Sequence, residues 1–62
     1  MIEIKDLTHH DLGRGVVYRP RFEDAEDGVI TSWNEAYIFV RYGAPGRVMA
    51  TRPDDLDFLR QE

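Results

Sequence analysis

Three sets of residues in this chain are of types that do chemistry: the adjacent His9, His10 and Asp11, the carboxylates Glu23, Asp24, Glu26 and Asp27, and a series of aromatics and arginines between Arg14 and Arg52. Successive residues on a helical turn project about 100° apart. His9 and His10 are therefore not expected to converge on one ion, and they read as two solvent-facing histidines on a capping turn. Paired carboxylates do acid-base work only when held at a fixed separation. The run from Glu23 to Asp27 lies between Pro20 and Gly28 and reads as a mobile acidic loop, which cannot hold that separation. There is no cysteine nucleophile, no G-x-S-x-G, no phosphate-cradling glycine loop and no H-E-x-x-H. A domain of 62 residues also has little concavity in which to shelter a reaction. These observations point away from catalysis, and no cofactor or metal is expected.

The aromatics carry more information. On a strand from Ala36 to Tyr42, alternation places Tyr37, Phe39 and Arg41 on one face and Ile38, Val40 and Tyr42 on the other. If Ile38 and Val40 face inward, Tyr37, Phe39 and Arg41, with Trp33, form an outer patch of the composition found at protein-binding hot spots. The plainer reading is that these rings extend a thin core, which a small domain needs. Tyr18, Trp33 and Tyr42 could also wall an aromatic cage for a cation, provided their strands face one another.

The basic residues are almost all arginine, with Lys5 the single lysine. If the first and fourth strands lie near each other, Arg19, Arg41, Arg47 and Arg52 would make one basic rim. Arginine interleaved with aromatics suits single-stranded nucleic acid. Against that stands a net charge of −4, which disfavours phosphate-driven binding. Many of these arginines are expected simply to pair with nearby carboxylates. The acidic residues Glu23–Asp27, Asp54, Asp55 and Asp57 read as solvated surface, or as carboxylates offered to a basic protein.

The elements that must position these side chains are legible from punctuation. Leu7 to Gly13 reads as one helical turn, capped by Thr8 with Asp11 three residues on and ended by Gly13, with Leu7 and Leu12 pressing it onto the fold. Arg14–Arg19 is the first strand, stopped by Pro20. After the acidic loop, Gly28–Trp33 and Ala36–Tyr42 form a hairpin about Asn34-Glu35, Asn34 being suited to a left-handed turn position. Gly43-Ala44-Pro45-Gly46 is a second turn and Arg47–Thr51 the fourth strand. Pro53 to Leu56 reads as a 3₁₀ turn, and Asp57–Leu59 as a brief last strand before a polar tail.

Residues 1–62 therefore read as a single domain with no repeat or linker, and with no apolar run near the roughly 20 residues needed to cross a bilayer. At this size only about 60% of the unfolded surface is buried. Without cysteine, no disulfide supplements the core. The order of a strand, a long loop, three strands on tight turns, a 3₁₀ turn and a short strand matches a mainly β, five-stranded SH3-like barrel. An OB-type barrel, which needs longer strands, is the other candidate.

Several segments carry a resemblance. Gly15-Val16-Val17-Tyr18-Arg19-Pro20, Gly28 to Asn34 with its Ser32-Trp33-Asn34, Phe39-Val40-Arg41-Tyr42-Gly43 and Ala50 to Leu56 together resemble small uncharacterised proteins of bacteriophages and prophages. The spacing G-x-V-x-Y, G-x-I, F-V-x-Y more loosely resembles Tudor and KOW-type barrels. The resemblance implies a phage-associated protein in the cytoplasm of the infected bacterium. The expected function is a non-catalytic module that binds a host or phage protein through Tyr37, Phe39, Arg41 and Trp33. Two alternatives stand beside it: a KOW-like nucleic-acid binder using Arg19, Arg41, Arg47 and Arg52, and a small virion or scaffold component. No membrane partner is expected.

Overall fold

Extended segments rich in valine, isoleucine and aromatic residues form five strands in the computed structural model, which describes residues 1–43 and 46–59. They are β1 (Gly15–Tyr18), β2 (Glu26–Trp33), β3 (Ile38–Tyr42), β4 (Arg47–Thr51) and β5 (Leu56–Phe58). All pairings are antiparallel, in one sheet of order β4-β3-β2-β1-β5. The remaining regular structure consists of 3₁₀ turns at Ile4–Asp6, His9–Asp11 and Pro53–Asp55. The Gly43–Gly46 turn lies partly, and the polar tail after Leu59 wholly, outside the described residues.

The expected barrel is not closed. Among the described residues β4 pairs only with β3 and β5 only with β1, so these two strands are the edges of the sheet. What the sheet encloses is a core of Ile2, Val16, Ile30, Ile38, Val40 and Leu56, flanked by Ile4, Leu7, Tyr18, Trp33, Tyr42 and Phe58. Each fully buried aliphatic side chain contributes about 1.5–3 kcal/mol. Ile2 reaches the core because its N–H donates to the Pro53 carbonyl at 3.1 Å.

β2 bends at Thr31, an extra residue in the ladder between the Ile30–Val40 and Ser32–Phe39 pairs. Its hydroxyl donates to the Phe39 carbonyl at 2.9 Å. β1 is one residue shorter at each end than expected and β5 begins and ends one residue earlier; two larger boundary differences have local reasons. β2 starts at Glu26, not Gly28, because Glu26 and Asp27 pair with Tyr18 and Val17, which shortens the acidic loop. β3 starts at Ile38, not Ala36, because the turn consumes Ala36 and Tyr37. The Asn34 side-chain oxygen accepts from both their N–H groups, at 2.8 and 2.7 Å. Among the described residues only glycines have positive φ, so Asn34 makes this turn as an acceptor and not by a left-handed backbone.

The capping turn forms as expected. The Thr8 hydroxyl accepts from the His10 N–H at 3.3 Å, and the Asp11 carboxylate accepts from the Thr8 N–H at 2.9 Å. Gly13, at φ +80°, ends the turn and donates to the Ile30 carbonyl at 2.7 Å. Leu7 packs on the core as expected, whereas Leu12 is 50% exposed.

Candidate functional site

Alternation along β1, β2 and β3 brings Tyr18, Glu26, Gly28 and Tyr42 to the inner face of the sheet, just beyond the core. Gly28 stands opposite Val16 on one side and Tyr42 on the other. Having no side chain there, it lets the two tyrosine rings approach across β2, with centroids 6.1 Å apart at 54°. The Tyr42 hydroxyl lies 2.8 Å from the Thr51 hydroxyl on β4, which fixes the ring's tilt. Burial raises the Tyr42 phenol above its ordinary value against the Thr51 hydrogen bond, and Tyr18 and Glu26 push in the same direction as burial.

These rings floor an open cleft of about 410 Å³ between the long loop, β4 and the last 3₁₀ turn. Met49 and Thr51 of β4 complete the floor. Met49 pairs with the buried Val40 and so points inward, yet it is 47% exposed because no described strand pairs with the far side of β4. The rim carries both signs: Glu23, Glu26 and Asp55 opposite Arg47 and Arg52. Phe22, next to Glu23 on the long loop, is 91% exposed with the Arg21 guanidinium 5.8 Å from its ring centroid. The cleft has the chemistry to hold an apolar or aromatic side chain against tyrosine and methionine, with ionic contacts at the edge.

The expected outer patch forms only in part. Phe39, half-buried, and Arg41, exposed, lie on the side away from Ile38 and Val40, while Tyr37 is exposed in the preceding turn. Trp33 does not belong with them. It pairs with Ile38 and packs on the core from the inner face, because the extra residue Thr31 shifts its register. The three-ring cage does not form either, since Tyr18 and Tyr42 meet in the cleft and Trp33 is not among its lining residues.

The arginines do not share one face. Arg19 lies 3.6 Å from Asp57 and Arg52 3.8 Å from Asp54. Arg41, opposite Val48, is on the outer side of the sheet, while Arg47, opposite Tyr42, is on the inner side. β1 and β4 are separated by β2 and β3, and where Tyr18 approaches the Arg47 end the rim is acidic as well as basic. His9 and His10, expected to diverge, have ring centroids 4.0 Å apart.

Met49 and Phe22 were not singled out from sequence. The alternation Arg47, Met49, Thr51 did contain a signal, because arginine and threonine beside a methionine on an inner face mark a strand whose inner side is only half covered. Phe22 had only its isolation in a polar loop to announce it. Among the described residues, no helix is long and apolar enough to cross a membrane, and no three histidine or acidic side chains are grouped to hold a metal ion. Compared with known proteins, the chain matches no family model, no curated protein and no solved structure.

Proposed function

We propose that this domain is a non-catalytic protein-binding module of SH3-like, partly open architecture, which seats a segment of its partner in the cleft over Tyr18, Tyr42 and Met49. The observation that carries the reading is the exposure of Met49, an inward-facing side chain at the margin of an otherwise sealed core. An apolar floor with charges of both signs at its rim fits a peptide segment, whose apolar side chain fills the floor while neighbouring polar groups meet the rim. The strand order β4-β3-β2-β1-β5, with a long loop after β1 and a 3₁₀ turn before β5, supports the SH3-like description. The resemblance of the Ser32-Trp33-Asn34 and Phe39-to-Gly43 segments to small phage proteins supports a phage-encoded accessory protein acting in the bacterial cytoplasm on a host or phage protein.

Affinity capture from a bacterial lysate, followed by titration of the captured partner, tests this. Met49→Glu and Phe22→Ala are expected to lose the partner, while Tyr37→Ala and Arg41→Ala keep it. Loss with Tyr37→Ala or Arg41→Ala alone would move the binding surface to the outer face of β3. Retention by all four variants would reject both surfaces.

A further inference from the structure

The two edges of the sheet are treated differently. β5 is three residues long, with Asp57 at its centre held by the N-terminal ammonium group and by Arg19. A short edge carrying a charge is a standard guard against pairing with another chain. β4 carries a single charge, Arg47 at its first position, opposite Tyr42. It is five residues long, and its ladder with β3 runs through Arg47–Tyr42 to Thr51–Ile38 without a bulge. It contains no lysine, proline or carboxylate. Residues 47 to 50 are all exposed, with Val48 at 54% and Met49 at 47%.

We propose that β4 is a self-association edge, and that two copies pair antiparallel about a twofold axis at Met49. In that register Met49 faces Met49 of the second copy, Val48 faces Ala50, and Arg47 faces Thr51. No like charges oppose each other, and every inward side chain meets an inward one. Sliding the register by one residue would set inward side chains against outward ones. The sequence of β4 is therefore self-complementary in this one full-length antiparallel alignment. Two five-stranded sheets become one ten-stranded sheet, with the paired methionines on its inner side.

A standard interface takes about 800 Å² from each partner, about a sixth of this chain's 4896 Å² surface. One five-residue edge supplies less than that, which puts the contact among the weak, transient interfaces.

Sedimentation equilibrium over a range of protein concentrations tests the proposal, with Val48→Lys as the disrupting variant. Val48 lies outside the cleft, so a change in association with partner binding intact separates this proposal from the peptide-binding one. The native chain is expected to approach twice the monomer mass at millimolar concentration, while Val48→Lys stays monomeric. Register is read by single cysteines in this cysteine-free chain. Under mild oxidation Met49→Cys is expected to cross-link at least tenfold faster than Val48→Cys, because only position 49 meets itself. A strict monomer at millimolar concentration would overturn the proposal, as would equal association by Val48→Lys or equal cross-linking at the two positions.

Discussion

Gly28 stands directly across the ladder from Tyr42, and a methyl group at position 28 would come within 2.9 Å of the Tyr42 ring and 2.5 Å of a Val40 methyl. The Arg41 carbonyl, at 2.8 Å, cannot move aside as a flexible side chain would. Gly28→Ala is therefore expected to destabilise the fold by about 1–3 kcal/mol, the range for overpacking. Urea unfolding measures it, and an unchanged midpoint would mean that the two strands are free to separate there.

Thr51, 5% exposed, gives Tyr42 its hydroxyl partner. Thr51→Val should cost about 1 kcal/mol and raise the Tyr42 phenol further, since the hydrogen bond lowers it. Because the folded phenol titrates above the unfolded one, its contribution to stability is whole below about pH 10 and declines as pH rises through the folded value. Ultraviolet titration of the native protein and of Thr51→Val compares the two. A lower phenol pKa in the variant would contradict the assignment.

Asp57 and Asp11 act at the other end of the pH scale. The N-terminal ammonium hydrogen bond, and after it Arg19, hold the Asp57 carboxyl below its ordinary value. The Thr8 N–H, then Arg14, do the same for Asp11. A depressed carboxylate contributes stability above the unfolded value of about 3.9, and that contribution is lost as pH falls through the folded one. Asp57→Asn should be less stable than the native chain at neutral pH and converge with it in acid. Acetylating the N-terminus, which removes the ammonium charge, should act in the same direction. Parallel unfolding curves from neutral pH down to pH 2 or so would show that the pair contributes nothing.

Trp33 and Tyr37 lie four residues apart but on opposite sides of the hairpin's structural divide. Trp33 packs on the core and Tyr37 is 44% exposed. Trp33→Ala is expected at the lower end of the about 3–5 kcal/mol typical of aromatic truncation, since the ring is only partly buried. Tyr37→Ala should fall within about 0.5 kcal/mol of the native chain. Thermal unfolding of both settles the contrast, and similar losses would place the two rings in a common environment.

Thr8→Ala removes the acceptor for the His10 N–H, and a lost cap typically costs about 1 kcal/mol. Replacement by serine keeps the oxygen and should restore most of it. Stability that tracks the methyl group and not the hydroxyl would show that packing, not capping, holds the turn.

Much of the architecture was legible because the chain is strongly punctuated. Thr8 with Asp11, Gly13, Pro20, Asn34 and Pro53 each constrain the backbone through local chemistry, and each marks a boundary within a residue or two of where it falls. Strand-three alternation was equally plain, since Ile38 and Val40 are fully buried while Phe39 is half-buried and Tyr37 and Arg41 are exposed. What sequence could not supply was anything set by pairing between distant segments. Glu26 and Asp27 extend β2 only because Tyr18 and Val17 wait across the ladder. Trp33 turns inward only because Thr31 adds a residue to the strand. Ile2 joins the core through a carbonyl fifty-one positions away. The open edge at β4, and the half-covered Met49 that follows from it, is a property of closure, of which the alternation Arg47, Met49, Thr51 carries only a trace.

Placing the single tryptophan on the core while the cleft is floored by tyrosines gives the molecule two separate optical signals. Emission from Trp33 follows the integrity of the interior, whereas near-ultraviolet tyrosine bands follow what occupies the groove. A titration that alters the second while leaving the first still would report occupancy without unfolding, with no label attached to the chain.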